Sequence, residues 1–385
     1  MRRWMVAPLL LVAAAALCPK TTPRALAAND PVEETFTTAD GMQLHGLFHK
    51  SEKNPGIDPV VILLYPPGKG NSMKAPGDWE GLANRLAKEG FNVFRFDWRG
   101  HGKSTTITDT KKFWVPMTNP FTAVWNERMI TGAPKAGGGG KIKNDFMFKD
   151  LKNPAEKYAP VYMLDLAAAR FHLDEKNDTG DLNMSSVYLI GAEGAAGIGF
   201  GWLVTEWNRP ATAPTPNQLG SNPRYDFIPQ PLVGGIPSEA GKDISGAVWL
   251  SPSRLNAVDP KVVQTWIAKQ ATNLRENNPM LFLVGEKDVK GMPQAKFFFD
   301  EVLVANPKPS AQLTKLDQTF LKEVKGGGTL VGAALLGQNN TLKTEDTIIQ
   351  FLEAIQKNRA KIVRKNRGFA NPYNIELRAF GIFPN

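Results

Sequence analysis

The chain has 385 residues and a mass of 42.2 kDa, with 42% apolar and 22% charged residues. This composition is typical of a soluble globular protein with one large or two ordinary domains, and it excludes a disordered chain. The one cysteine excludes an intramolecular disulfide, a cysteine-based zinc site and an iron–sulfur cluster. The four histidines stand at positions 45, 49, 101 and 172, so residues 173–385 contain none.

The first 27 residues have the features of a secretory signal. Two arginines precede the apolar run Met5–Leu17, and small residues at 25 and 27 suit a signal peptidase. The run is too short to cross a bilayer comfortably. We therefore expect cleavage near Ala27 and export to the periplasm or the cell exterior. An uncleaved anchor and lipidation at Cys18 are the alternatives.

The formal net charge of +9 is concentrated at the two ends of the chain. The signal segment contributes +4 and residues 357–385 contribute +6, which leaves −1 for residues 28–356. The domain thus lacks the basic face that nucleic-acid binding needs. The run 357–367 is predicted to extend the final helix, where cations complement the helix dipole. A contact of this basic C-terminal extension with an anionic surface is the alternative, and it would use Lys357, Arg359, Lys361, Arg364, Lys365 and Arg367.

The predicted elements alternate between strands and helices along the chain. Alternating apolar residues or fully apolar, β-branched runs predict strands at 41–48, 59–65, 91–96, 187–190, 246–250, 280–284 and 313–316. Apolar residues at helical spacing predict helices at 79–89, 161–173, 195–204 and 344–358. We therefore expect an α/β fold with a mostly parallel central sheet flanked by helices.

The alternation is interrupted at 105–160 and at 207–242, and irregular segments of this length are usually lids or binding insertions. The glycine run 137–140 lacks the flanking residues of a phosphate loop, so no cofactor is implied. His45 and His49 would share a strand face, but no third metal ligand is evident and no metal site is predicted. The aromatic residues of the first insertion are predicted to form a small local core, with a ligand platform as the alternative: Phe113, Trp114, Phe121 and Trp125.

Three segments resemble the α/β-hydrolase family. FDWRGHGKS at 96–104 resembles the D-x-R-G-H-G-x-S turn that follows the family's fourth strand. VYLIGAEGA at 187–195 stands at the place of the nucleophile elbow, the strained turn that exposes the catalytic serine. NPMLFLVGEKDV at 278–289 resembles the strand and turn of the triad acid, with Asp288 in that role. The resemblance implies an α/β-hydrolase-like domain over residues 28–356.

The residues that carry the family's chemistry are not retained. Glu193 occupies the position of the nucleophilic serine, between small residues that permit the tight turn. In this family the histidine follows the acid, and no histidine follows Asp288. The family's histidine segment aligns with Gly326–Gly328, which puts Gly327 at the position of the base. A serine-hydrolase mechanism is therefore excluded.

The loop Tyr65–Gly68 stands where the family's oxyanion hole takes a backbone N–H. Proline has no N–H, so with Pro67 at the donor position about 3 kcal/mol of transition-state stabilisation is lost. Asp97, Arg99 and Ser104, in the RGHG turn, are predicted to form a turn network and not a site.

These observations predict an exported, non-catalytic protein that binds an unknown small molecule or protein at the carboxyl edge of the sheet. The insertion 105–160, which follows the family's fourth strand, and the second insertion would form the roof of the pocket. The alternative is a hydrolase of ester-like or small organic substrates in which Glu193 or Asp288 acts as a carboxylate base. The residues expected to line the pocket are Tyr65, Pro67, Gly68, Glu193, Gly194, Asp288 and Gly327.

Overall fold

The computed structural model describes most of the chain after residue 29, and residues from Pro31 onward form one compact unit. The described residues are 30–69, 78–116, 122–134, 142–213, 227–228, 239–255, 261, 273–304, 319–359, 361–375 and 377. The predicted signal segment 1–27 lies outside them.

Ten strands and eight α-helices carry the fold. The strands are β1 (Val32–Thr37), β2 (Gln43–His49), β3 (Pro59–Leu64), β4 (Asn92–Phe96), β5 (Asn183–Ala192), β6 (Phe227–Ile228), β7 (Ile244–Leu250), β8 (Met280–Gly285), β9 (Phe320–Val324) and β10 (Asn374–Ile375). The helices within the described parts of the chain are α1 (Trp79–Lys88), α2 (Thr110–Trp114), α3 (Ala123–Met129), α4 (Tyr162–Thr179), α5 (Glu193–Glu206), α6 (Gly291–Lys296), α7 (Asn339–Leu342) and α8 (Thr344–Arg359). A π-helical segment, Phe297–Val304, continues α6.

The main sheet has eight strands in the order β1-β2-β4-β3-β5-β7-β8-β9. The pairs β1–β2 and β2–β4 are antiparallel, and every other pair in this sheet is parallel. Strands β3, β5, β7 and β8 are buried along their whole length because helices cover both faces of a parallel sheet. The predicted α/β fold with a mostly parallel sheet is confirmed.

Alternate residues of each central strand enter two cores on opposite faces of the sheet. Ile62 of β3 packs with residues of α4, α5 and the first insertion. Its neighbours Val61 and Leu63 pack with α1 and α8. The strand period of two residues thus divides one apolar run between two helical layers.

Three predicted elements differ from the observed ones. The predicted strand 41–48 is the second half of a hairpin, and β1 was missed because only one of its residues is buried on the sheet face. The candidate strand 313–316 lies outside the described residues. The strand found after β8 is β9, whose charged, mostly exposed residues (FLKEV) give little apolar signal at the edge of the sheet.

The first insertion contains α2, α3 and two short 3₁₀ segments, Phe148–Asp150 and Ala155–Val161. Phe113, Trp114 and Trp125 are buried, which confirms the predicted local core for these three residues. Phe121 lies outside the described residues, as does most of the second insertion.

The prediction that the basic run 357–367 extends the final helix is wrong. Helix α8 ends at Arg359, and the described residues beyond it are not helical. The physical reason is the buried Arg367 side chain, whose Nη1 lies 2.9 Å from the Asp243 carboxylate and 3.1 Å from the Ala211 carbonyl oxygen. These contacts draw the chain back along the domain. In the described part of the chain, no helix combines the length and apolar character that crossing a membrane requires.

Candidate functional site

The turn between β5 and α5 has the geometry of a nucleophile elbow. Strand β5 ends at Ala192, and α5 begins at once with Glu193, whose φ of +49° is unusual for a residue with a side chain. The turn needs small neighbours, since a Cβ on Gly191 would lie 3.0 Å from the Ala196 Cα. Helix α5 therefore begins two residues earlier than predicted.

The Glu193 carboxylate is held between two loops. Its Oε2 lies 3.1 Å from Lys69 Nζ, and its side chain is 19% exposed. Gly332 lies against the same group, because a Cβ built there would be 2.6 Å from Glu193 Cγ and 2.8 Å from Oε1. The sequence analysis missed both partners, since neither Lys69 nor Gly332 belongs to a motif that reports the contact.

Tyr65 lies beneath this pair and is buried against Trp79. Burial raises the pKa of the Tyr65 hydroxyl, and the negative charge of Glu193 raises it further. Tyr65 thus keeps its proton and supports the wall behind Glu193.

The loop 66–69 has no free backbone N–H to offer a ligand. Pro66 and Pro67 have none, and Lys69 N donates to the Pro66 carbonyl. Gly68 N donates to His101 Nε2 at 2.8 Å, while His101 Nδ1 lies 3.0 Å from the Arg99 carbonyl oxygen. This pattern requires a neutral imidazole with its proton on Nδ1, and burial lowers the His101 pKa in agreement.

Asp288 follows β8 and hydrogen-bonds the loop that leads into α6. Its Oδ1 accepts from Gly291 N at 2.7 Å and from Lys290 N at 3.2 Å. This is the loop-bonding role that a triad acid without its histidine is expected to take. The second oxygen, Oδ2, is buried without a partner among the described residues, and so is the hydroxyl of Ser251. A Gly291 Cβ would lie close to both side chains.

Gly327 lies away from Glu193. Its N–H donates to the Val324 carbonyl, and its nearest neighbours include Leu335 and Gly285. The residue of this loop that faces Glu193 is Gly332, five positions later. The loop therefore meets the elbow as expected, but through a different glycine.

A pocket of about 260 Å³ lies beside the elbow. Of the predicted residues, Pro67 and Gly194 line it, whereas Tyr65, Gly68, Glu193, Asp288 and Gly327 are not among its lining residues. The complete lining consists of Pro67, Phe148, Ala155, Glu156, Ala159, Tyr162, Gly194, Ile198, Ser253, Arg254 and Leu255. Four of these belong to the first insertion, so this insertion walls the pocket.

The RGHG turn is fixed by a buried ion network. Arg99 Nη1 lies 2.7 Å from Asp40 Oδ2, and Arg99 Nε lies 2.6 Å from Asp165 Oδ1, with all three side chains fully buried. Burial raises the Asp40 pKa, but the adjacent guanidinium outweighs it and holds that pKa below its ordinary value. The predicted turn network is observed for Arg99, while its two carboxylate partners were missed because they are distant in sequence.

The described side chains include no group of three or more His, Cys, Asp or Glu that could hold a metal ion. His49 instead lies between Asn84 and Arg95, and His45 pairs with Glu33. Both histidines are occupied by structural contacts.

Comparison with known proteins gives one family match and several distant likenesses. A family model described as alpha/beta hydrolase fold matches residues 59–153. The protein YfhR, from Escherichia coli K12 and from strain O157:H7, is 38% identical over 69 residues, which is 18% of this chain and only 23% of those relatives.

Among solved structures, the Pyrococcus furiosus esterase Pf2001 is 14% identical with a TM-score of 0.44, and the match covers 85% of this chain and 91% of that one. A Rhizomucor miehei esterase structure is 12% identical with a TM-score of 0.44 and covers 86% of both chains. The fold assignment rests instead on the strand order, the elbow and the family match over 59–153. The chain has the α/β-hydrolase fold.

Proposed function

We propose that this protein binds a small organic molecule in the pocket beside Gly194 and does not hydrolyse it. The observation that carries this proposal is the state of the elbow, where Glu193 replaces the nucleophile and is paired with Lys69 beside an open pocket. Export through residues 1–27 belongs to the same proposal and rests on the sequence alone.

Three features support the absence of serine-type catalysis. No histidine follows Asp288, so no base of the family type can activate a nucleophile or a water. The amide of Gly68 is committed to His101. Asp288 hydrogen-bonds its own loop and does not line the pocket. A polarised carbonyl in the pocket would thus lack the base and one of the donors that the reaction needs.

The alternative, a hydrolase that uses Glu193 or Asp288 as a carboxylate base, has less support. A base must come within hydrogen-bond reach of the attacking water. Glu193 is covered by Gly332 and occupied by Lys69, and Asp288 is 5% exposed. Neither carboxylate lines the pocket.

A panel of short-chain p-nitrophenyl esters, together with a fluorophosphonate probe, tests this proposal. We expect no covalent labelling and ester hydrolysis no faster than in buffer. The panel is repeated with Glu193→Gln and with Glu156→Gln, which removes an exposed carboxylate at the pocket. Turnover that Glu193→Gln abolishes and Glu156→Gln spares would overturn the proposal, particularly if the rate rose with pH through a single carboxylate limb.

The predicted contact of the C-terminal extension with an anionic surface stays a prediction. Arg367 is removed from it because its side chain is buried. The exposed Val363 lies with Lys361 and Arg364 around a second, separate depression at the opposite end of β5, near Asn183.

A further inference from the structure

The hydroxyl of Tyr162 is a buried hydrogen-bonding group with nothing to bond. Tyr162 is 2% exposed, is the first residue of α4 and lines the pocket beside the elbow. Its hydroxyl has no partner among the described residues. Buried polar groups are nearly always paired, so an orphan of this kind indicates a missing partner. Burial raises the Tyr162 pKa far above its ordinary value, so the group remains an O–H donor.

A fixed positive charge lines the same pocket. Arg254 Nε donates to Gln294 Oε1 at 2.6 Å, and its guanidinium lies 4.7 Å from the centre of the Phe297 ring. These two contacts hold the guanidinium plane in place while leaving its Nη groups for other acceptors. Gly194 adds the positive end of the 14-residue helix α5.

The remaining wall is mostly apolar. Phe148, Ile198 and Leu255 line it, together with a proline and two alanines. Glu156 is the one carboxylate among its lining residues, and it is exposed on the insertion. The pocket volume is just below the range of about 300 to 1,000 Å³ that is usual for small-molecule sites. The wall therefore suits a compact apolar body with one polar end.

From these contacts we infer that the ligand is a small carboxylic acid, bound as its anion. The carboxylate accepts hydrogen bonds from the Tyr162 hydroxyl and the Arg254 guanidinium, near the N-terminus of α5. The apolar body packs against Phe148, Ile198 and Leu255. The inference rests on the proposed binding function and adds the chemical class of the ligand.

Calorimetric titration of the full chain with hexanoate and with hexanamide tests the inference. The two probes share a body and differ in charge. We expect hexanoate to bind at least about tenfold more tightly, because a charged acceptor strengthens each hydrogen bond. Arg254→Gln is expected to weaken hexanoate binding about tenfold or more and Tyr162→Phe about three- to tenfold, with little change for hexanamide.

Two controls separate binding from folding. Lys361→Ala removes one positive charge at an exposed position outside the pocket lining and is expected to leave both affinities unchanged. Tyr162→Phe is expected not to lower the melting temperature, since the hydroxyl it removes has no partner in the unliganded protein. Equal affinities for the two probes, unaltered hexanoate binding in Arg254→Gln, or no hexanoate binding would each overturn the inference. Ester turnover in the panel above is a different result, which would overturn the proposed function.

Discussion

At the scale of single residues, His49 shows how burial fixes a protonation state. His49 Nε2 accepts from Arg95 Nε at 3.1 Å, and His49 Nδ1 lies 3.1 Å from Asn84 Oδ1. The imidazole is therefore neutral. Burial, together with the positive charge of Arg95, lowers the His49 pKa to about 4. A base whose pKa is lowered on folding takes up its proton more readily in the unfolded chain.

This shift predicts a loss of stability as the pH falls from about 6.5 to 4. Above about 6.5 both states are neutral at His49, and below this value protonation favours the unfolded state. Between pH 7 and 4.5 His49 is expected to cost about 2 kcal/mol of unfolding free energy. Urea unfolding of wild type and His49→Gln at both pH values measures the difference. The pH dependence should be shallower in His49→Gln.

The matched control for this experiment is His45→Gln. His45 is paired with Glu33 at the surface of the same strand. Its replacement should leave most of the wild-type pH dependence in place. An equal effect of the two substitutions would contradict the assignment of the shift to His49.

At the scale of elements, the strand-to-helix turn and the loop after β9 fit together through Glu193 and Gly332. Gly332 has a φ of +56°, and so does not tolerate a side chain easily for two separate reasons. One is the backbone conformation, and the other is the contact with the Glu193 side chain. Gly328, in the same loop, has a φ of +51° but nothing within 4 Å of its built Cβ. The two glycines thus separate backbone strain from steric contact.

We expect Gly328→Ala to cost about 1 kcal/mol of unfolding free energy, because only the left-handed backbone is penalised. Gly332→Ala should cost roughly 1 to 3 kcal/mol more, the usual range for overpacking. In a Glu193→Ala background this extra cost should disappear, since the clashing atoms are gone. Denaturant unfolding of the single and double variants measures it. A cost of Gly332→Ala that is independent of residue 193 would contradict the contact.

At the scale of the whole molecule, a buried network of three arginines and three carboxylates connects distant parts of the chain. It joins α4, the end of α5, the turn before β7 and the C-terminal extension through Arg170, Asp174, Glu206, Arg209, Asp243 and Arg367. Burial raises the Glu206 pKa, but the adjacent guanidinium of Arg209 outweighs it and keeps that pKa below its ordinary value. The extension is therefore part of the folded domain.

Arg367→Ala is expected to lower the free energy of unfolding by about 3 to 5 kcal/mol, because it leaves carboxylates buried without one of their cations. Lys361→Ala removes the same charge from an exposed position and should change stability by about 0.5 kcal/mol or less. Urea unfolding at pH 7 compares them. Equal stabilities of the two variants would show that the extension does not anchor the domain.

The sequence was sufficient for the parts of the fold that depend on local pattern. The apolar runs of β3, β5, β7 and β8 and the small residues around Glu193 predicted the central sheet and the elbow. The contacts that decide the site were not predictable, because each joins residues far apart in sequence. Lys69 with Glu193, Gly332 with Glu193, and Arg367 with Asp243 are examples. A basic run looked like a solvated helix end, although one of its arginines is buried.

The hydrogen bond from Gly68 to His101 determines what protein engineering would have to undo. Installing a serine at position 193 and a histidine opposite it would still leave an acyl intermediate without the amide that His101 occupies. Freeing that amide would disturb the turn that Arg99 anchors in the core. As a design template, the scaffold is thus better suited to reshaping a receptor for small acids than to recovering an esterase.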